Sequence, residues 1–263
     1  MAPAGFSLIV ASCDMEKYIA ECLESLAAQN YDPSFFEIVC VDDGSTDSSA
    51  QVIAGYQKKY KNFISIQTHN SGLEKTCNLG IRAARFPWIV RVDADDMADR
   101  NLLKALNQAM QEHPGFDFYY CQKYVEYYSA EESYSKSLPF FDREEIFQRG
   151  DFFATGTAYR RGDLLEIGGF PDEEKNCGLE NYSVILNLIT RGKKGFAVEG
   201  ASFHYRRHKT NMSTVKRQSL IQYGKKLLRH YGRCFVTNQY HPYRLILSGQ
   251  DEGALDFQAE ERK

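Results

Sequence analysis

The sequence has no paired-cysteine spacing, no long apolar run and no large excess of either charge. Its seven cysteines are scattered without a C-x-x-C pair. An odd count with no pairing pattern points to reduced thiols in a reducing compartment, and no zinc site is legible. No stretch approaches the ~20 apolar residues that cross a bilayer. The N-terminus has neither a basic region nor an apolar segment long enough for a secretory signal. The expected setting is therefore cytoplasmic, or peripheral at the inner face of a membrane. A net charge of −3 gives no general reason to bind nucleic acid. There is no internal repeat, no Pro/Gly/Ser linker between the halves, and no glycine-rich phosphate loop near the N-terminus. Acid is also missing locally: from Gly200 to Gln250 there is no Asp or Glu, yet ten Lys and Arg. A basic segment opposite an acidic one suits a polyanionic ligand. The alternative is a basic surface helix that touches nothing.

What is present is ordinary in bulk: 263 residues, 43% apolar and 25% charged, enough for one large domain or two small ones. Tyr and Phe are frequent, 17 each. That fits an aromatic-lined cleft, although aromatic cores are the commoner cause. The short apolar runs Phe6–Ala11, Phe36–Val41, Phe63–Gln67 and Trp88–Val92 read as buried strands. Between them Glu16–Gln29, Asp47–Tyr60 and Leu73–Arg85 have helical spacing, with Asp14 as the expected N-cap of the first. Strand and helix in alternation predict an α/β fold with a parallel, doubly wound sheet, which binds ligands beyond the carboxyl ends of its strands. After about residue 115 the pattern changes. Phe116–Tyr128 reads as a strand, Ser129–Ser137 as a loop and Phe152–Tyr159 as a strand. Tyr182–Thr190 reads as a helix, Phe203–Arg206 as a strand and Ser219–Tyr231 as a basic amphipathic helix. One domain is expected over 1–250, with lobes 6–115 and 116–250, and a mobile tail over 251–263.

Three polar clusters fall at the predicted strand ends. Asp93-Ala94-Asp95-Asp96 puts three carboxylates in four residues. They repel one another unless a cation neutralises them, and hard oxygen ligands of this kind suit Mg²⁺ or Mn²⁺ beside a substrate diphosphate. Asp42-Asp43-Gly44-Ser45-Thr46-Asp47 follows a strand and opens a helix. Gly44 permits a turn and the hydroxyls or Asp47 can cap, which leaves Asp42 and Asp43 to accept hydrogen bonds from a base or ribose. His69-Asn70-Ser71-Gly72, with Lys75 just inside the next helix, reads equally well as a turn.

Taken together, these strings resemble the GT-A glycosyltransferases, and within them the large inverting family numbered 2. The resemblance covers roughly residues 6–213. It rests on Phe6 to Asp14, on the D-D-G-S-T-D string, on Asn70-x-Gly72 with Asn78-x-Gly80-Ile81, and on Val92-Asp93-Ala94-Asp95-Asp96. Each motif alone is weak; their order and spacing make the match. It implies a Rossmann-like, mostly parallel sheet with a smaller acceptor-side lobe. It also implies that Asp42 and Asp43 contact the uracil and ribose of a UDP-sugar, that Asp93 contacts ribose or sugar, and that Asp95 ligates the divalent cation. Ala11, Asn70, Gly72, Lys75 and Ala94 would complete the nucleotide-binding set. Tyr159-Arg160-Arg161 with Ile167-Gly168-Gly169-Phe170 is similar to the family's segment near the acceptor, which puts Gly169 there. Tyr205-Arg206-Arg207-His208-Lys209-Thr210-Asn211-Met212-Ser213 is similar to its Y-R-x-H-x-x-N-x-S string, which gives His208 as a metal ligand or phosphate contact, Arg206 as a sugar or diphosphate contact and Lys209 as a second cation for the diphosphate.

One position departs from the family. Its Glu-Asp pair, whose Asp is the general base, is here Glu180-Asn181. An amide cannot take a proton. Either Glu180 is the base, after a one-residue change of register, or transfer is lost; Glu180 is the favoured reading, with Asn181 orienting the acceptor. The implied activity is metal-dependent inverting transfer from a nucleotide-sugar to a hydroxyl on a glycan, lipid-linked or other acceptor, as in bacterial-type polysaccharide biosynthesis. The alternative is a catalytically impaired sugar-nucleotide binder. Nucleic acid is not an expected partner. The basic helix 216–233 is a candidate for peripheral membrane contact, and self-association is left open. Haloacid-type phosphatases also use D-x-D, but Asp96-Met97 does not supply their following Thr or Val.

Overall fold

Alternate residues of the first strand pack on opposite faces of a buried sheet, and this sets the layering. In the computed structural model, which describes residues 2–150, 155–233 and 237, β1 (Phe6–Ser12) is followed by α1 (Ile19–Ala27), β2 (Phe36–Asp42) and α2 (Ser49–Lys59). Then come β3 (Phe63–Gln67), α3 (Leu73–Ala83), β4 (Trp88–Arg91), the short β5 (Met97–Ala98) and α4 (Leu102–Glu112). The second half contains β6 (Phe118–Tyr127), β7 (Ser133–Ser137), α5 (Arg143–Arg149), β8 (Ala158–Arg160) and α6 (Arg161–Glu166). It ends with α7 (Glu180–Thr190), β9 (Gly195–Arg206), α8 (Met212–Val215) and α9 (Arg217–His230).

One sheet runs through both halves, in the order β3-β2-β1-β4-β8-β6-β9-β5, with β7 paired to β6. The first four strands are parallel, with Ile9 between Val39 and Arg91. β8 enters antiparallel beside β4, and β6 and β9 then run parallel to each other. Leu8, Val10, Ile38 and Cys40 pack with Leu23, Leu26 and Leu103 under α1 and α4. Ile9, Val39 and Val41 pack with Cys77, Ile81 and Ile185 under α3 and α7. Each fully buried Leu or Ile contributes about 1.5–3 kcal/mol. Coverage on both faces is why these strands read as continuous apolar runs rather than alternating ones.

Helix α3 lies close on the sheet because of Gly80. A Cβ there would meet Ile9 Cγ2 at 2.6 Å. Two residues earlier in the same helix, the Asn78 side chain is buried. It accepts from Phe170 N–H and donates to Phe170 O, both at 2.8 Å. Asn78 thus ties α3 to the turn after α6. Gly169 sits there at φ +82, and a Cβ would strike Asn78 Oδ1 at 2.2 Å. We expect Asn78→Ala to destabilise the fold by about 1–3 kcal/mol, since two buried backbone groups lose their partner. Urea denaturation would check this, and an unchanged midpoint would refute it.

Several expectations need correction. Residues 133–137, expected within a loop, form β7, which pairs antiparallel with β6 from Lys123↔Ser137 to Tyr127↔Ser133. All five residues are exposed, so no apolar alternation marked the strand; backbone pairing alone makes it. β9 begins at Gly195, well before the expected Phe203, because Glu199 and Gly200 interrupt the apolar pattern at a register shift. Asp14 does not cap α1, which starts only at Ile19; its carboxylate serves another loop. Helix α4, with Leu102, Leu103, Leu106 and Ala109 buried, had a helical period that was not read. The expected strand over 152–159 is described only in its last part, as β8 from Ala158; 152–154, 238–250 and the tail 251–263 lie outside the described residues. No described helix is long and apolar enough to cross a membrane. α9 buries Leu220, Ile221 and Leu228 in the core, so a membrane would meet only its charged face.

Candidate active site

The carboxyl ends of β1, β2 and β4 and the loops that follow them form one rim. Asp43 N–H donates to Ser12 O, and Asn70 N–H to Asp43 O. The Asp43 carboxylate, 4% exposed, accepts from Ser71 N (2.7 Å), Ser71 Oγ (2.9 Å) and Gly72 N (2.8 Å). It thereby fixes the Asn70–Gly72 turn. Asp42 is buried beside it and accepts from Ser45 Oγ. Asp14 Oδ1 accepts from Thr46 N (2.7 Å) and Asp47 N (3.3 Å), closing the D-D-G-S-T-D loop against the end of β1. Among the described residues the non-glycine positions with positive φ are Asp14, Asn70 and Asn176. Asp14 follows β1, Asn70 lies in the turn that Asp43 holds, and Asn176 packs against the start of α3 beside it. Left-handed backbone at non-glycine residues is held only where the surroundings over-determine it, and it clusters at functional sites. Ala11 is part-buried at the end of β1, opposite Val41.

Lys75 is exposed. The cation that reaches the Asn70 turn is instead Lys175, which donates to Asn70 O (2.5 Å) and Oδ1 (2.6 Å). Its loop also covers the N-terminus of α3. Asn176 Oδ1 accepts from Leu73 N, and the N–H groups of Asn176 and Cys177 donate to the Glu74 carboxylate at 2.9 and 2.7 Å. Nothing in the local sequence pairs 175–177 with 70–74; the contact spans about a hundred residues.

The three aspartates after β4 divide their work. Asp96 is fully buried. It accepts from Thr155 Oγ1 (2.6 Å) and Arg206 N (2.9 Å), clamping the end of β9 to β4. Burial, and then Asp93 and Asp95, push its carboxyl well above the usual carboxylate range. Asp95 Oδ2 lies 2.9 Å from His208 Nε2 and 3.4 Å from Asn211 Nδ2. Its carboxyl is also raised, by burial and by Asp93, with His208 opposing. The His208 ring stacks on Tyr18 at 4.7 Å, and Arg206 donates to Asp95 O at 2.8 Å while packing over the rings of Tyr18 and Tyr127. Ala94 is buried between the two aspartates. Crowded carboxylates, one of them touched by an imidazole nitrogen, make an oxygen-and-nitrogen donor set that fits Mn²⁺ or Mg²⁺.

Asp93 faces a different partner. Arg91, the last residue of β4, bonds Asp93 Oδ1 through Nη2 at 2.5 Å and Glu180 Oε1 through Nη1 at 2.8 Å. The side chains of Arg91 and Glu180 are 6% and 7% exposed. Burial works against the Arg91 charge, and Asp93 and Glu180 more than restore it. Glu180 Oε2 is buried and has no hydrogen-bond partner among the described residues. Asn181 beside it is buried as well. Glu74, Cys177 and Glu180 bring possible ligand atoms within 4.8 Å of one another. Both Glu74 oxygens already accept backbone N–H groups and Arg91 already supplies the positive charge, so this group reads as a pinned carboxylate pair rather than a metal centre. Gly169 is placed by its packing on Asn78. Sequence reasoning missed Arg91, Tyr18, Glu74 and Lys175. Only Arg91, a lone charge in an apolar strand, carried a local signal.

Comparison with known proteins bears on the fold and the family. The poly(ribitol-phosphate) beta-N-acetylglucosaminyltransferase TarS of Staphylococcus aureus is 37% identical over 109 residues, 41% of this chain but 19% of TarS. The minor teichoic acid biosynthesis protein GgaA of Bacillus subtilis is 25% identical over 264 residues, covering 92% of this chain and 56% of GgaA. The chain thus spans about a fifth to a half of these relatives. Among solved structures, S. aureus TarS 1-349 with UDP-GlcNAc superposes with a TM-score of 0.66 at 22% identity, over 85% of this chain and 66% of that one. The mannosyltransferase PcManGT of Pyrobaculum calidifontis, with GDP-Man and Mn²⁺, gives 0.67 at 17% identity, over 94% and 70%. The fold is therefore GT-A. The model of the family described as glycosyl transferase family 2 matches residues 7–168, more than half of the sequence, and the chain belongs to that family.

Proposed function

We propose that this glycosyltransferase moves a sugar from a UDP-sugar to an acceptor hydroxyl, with inversion and with help from Mn²⁺ or Mg²⁺, in the assembly of a bacterial-type polysaccharide or teichoic-acid-like glycan. The observation that carries the reading is the convergence of Asp95 with His208, from opposite halves of the chain, 2.9 Å apart at the strand-end rim, beside the Asp93–Arg91–Glu180 chain. Asp42, Asp43 and Asp93, with Ala11, Asn70, Gly72 and Ala94, line the uridine and ribose end. Lys75 remains a candidate for the phosphates. Asp95 and His208 would hold the cation, which when bound supplies positive charge to a diphosphate leaving group. Arg206, anchored on Asp95 O, adds fixed charge at the same end. Gly169 and Asn181 belong to the acceptor side. Glu180 Oε2, which has no hydrogen-bond partner among the described residues, takes the acceptor proton as the hydroxyl oxygen attacks the anomeric carbon and the bond to the diphosphate oxygen breaks. Catalytic hydrogen bonds often form only in the substrate complex. The acceptor's arrival is the step that gives the hydroxyl access to this buried oxygen.

Luminescent detection of UDP released from a panel of UDP-sugars, with and without candidate glycan acceptors, tests the proposal. Acceptor-stimulated release supports it, and no release from any donor that raises the melting temperature refutes transfer. Asn181, in place of a carboxylate, and the buried Glu180 oxygen favour one alternative: a protein that binds sugar nucleotides without transferring them. That protein would give ligand-induced stabilisation and no turnover.

The donor end carries its own prediction. Asp43→Ala is expected to weaken UDP binding by about 1–3 kcal/mol, because the Asn70–Gly72 turn loses the carboxylate that orders it. Calorimetry on a variant shown to be folded is the check. An unchanged dissociation constant would mean that Asp42-Asp43-Gly44 serves only as a turn.

A further inference from the structure

We propose that Arg91 is a positioning residue that sets the donor-side Asp93 and the proton-accepting Glu180 with a single guanidinium, so that the two ends of the reaction are held at one spacing. The inference deepens the transferase reading and rests on it. Arg91 closes β4, the last of the four parallel strands, and is paired to Ile9 of β1 on one side of the strand while β8 runs antiparallel on the other. Its side chain is 6% exposed, where a lone cation would be strongly disfavoured. Its two terminal nitrogens reach different carboxylates, Nη2 on Asp93 and Nη1 on Glu180, and Phe170 covers the guanidinium at 5.5 Å. Phe170 is in turn fixed by both backbone bonds to Asn78. The guanidinium thus joins the metal-side loop of the first half to the first residue of α7.

The consequence for Glu180 is directional. One oxygen is tied to Arg91, which leaves Oε2 as the atom without a hydrogen-bond partner among the described residues. Beside the Glu180 carboxylate stand Glu74 from α3 and Cys177 from the preceding loop. Cys77 also feels Arg91 and Glu180. Burial pushes the Cys77 and Cys177 thiols up to about 12, so neither offers a competing anion. Without the guanidinium, Glu74, Asp93 and Glu180 would face one another with no cation between them, and Glu180 would be free to turn. A lysine cannot replace the fork, because one ammonium does not hold two carboxylates in fixed planes.

The test compares Arg91→Ala, Arg91→Lys, Glu180→Gln and wild type, by UDP calorimetry in Mn²⁺ buffer and by acceptor-dependent UDP release. A positioning role on both ends predicts a double signature. Arg91→Ala weakens UDP by about fivefold or more and lowers kcat by at least about 100-fold, whereas Glu180→Gln lowers kcat and leaves UDP binding alone. Arg91→Lys recovers UDP affinity through its charge but not kcat. Millimolar guanidinium restores Arg91→Ala turnover by about tenfold or more and does nothing for Glu180→Gln. Transfer by folded Arg91→Ala or Arg91→Lys within about threefold of wild type overturns the proposal, as does the absence of guanidinium rescue. If wild type itself transfers nothing, the transferase reading has failed. Arg91 is then judged on UDP binding alone: a loss confined to Arg91→Ala and reversed by guanidinium upholds its hold on Asp93, and no loss refutes it. Should Arg91→Ala not fold, Arg91→Lys carries the comparison.

Discussion

Glu180→Gln is expected to abolish sugar transfer while leaving UDP-sugar binding nearly unchanged. An acceptor hydroxyl is a poor nucleophile, and a carboxylate that removes its proton as the bond forms contributes roughly 10²–10⁴-fold. Glu180 is the only acid between Gly178 and Thr190 and the first residue of α7. Glutamine keeps an oxygen for Arg91 and the same volume, so the ion-pair geometry around Asp93 has little reason to collapse. It cannot take a proton. The measurement is turnover beside donor affinity for the purified variant. Transfer at the wild-type rate would place the base elsewhere. The companion variant, Asn181→Asp, restores the family's carboxylate one residue later at the start of the same helix, where a negative charge is favoured. It is expected to be tolerated or activating.

Removing the cation is expected to have the second-largest effect. UDP affinity should fall steeply in EDTA and return with Mn²⁺ or Mg²⁺, and Asp95→Ala should lose most of that dependence. The reason is electrostatic. A diphosphate brought up to Asp93 and Asp95 meets carboxylates that already crowd one another, as the upward displacement of Asp95 by burial and by Asp93 records. A divalent ion turns that repulsion into attraction. Calorimetry with and without EDTA reads it directly. Equal UDP affinity in both buffers would remove Asp95 from the role. Asp96→Asn makes a useful contrast. Its carboxylate is fully buried and binds Thr155 and Arg206, so its loss should show first as lower thermal stability.

Much of this protein is written locally. The β-branched runs at Phe6, Phe36, Phe63 and Trp88 and the helical periods between them required a parallel α/β sheet, because only a sheet covered on both faces hides such strands. The strings at 42–47, 70–81 and 93–96 then fell at the strand ends, where such sheets bind ligands. The family membership followed from their order. β7 was not legible, since an exposed edge strand has no face to bury and leaves no alternation in its residues. Nor was the changed duty of Asp14, whose side chain satisfies N–H groups in a loop some thirty positions later.

The site itself was only half determined by the chain. Sequence alone named Asp95 and His208, but their 2.9 Å approach exists because Asp96 pins the end of β9 to the end of β4. Sequence alone named Glu180, but not the guanidinium that holds it or the oxygen left free. Motifs encode groups whose neighbours are a few residues away, and there the backbone geometry is nearly fixed. Arg91 with Glu180, Lys175 with Asn70, and Glu74 with Cys177 are about ninety to a hundred residues apart. Their pairing depends on β8, β6 and β9 being laid in that order beyond β4 in one register, and no local pattern specifies that register. It is selected by the burial of the whole sheet between its helices.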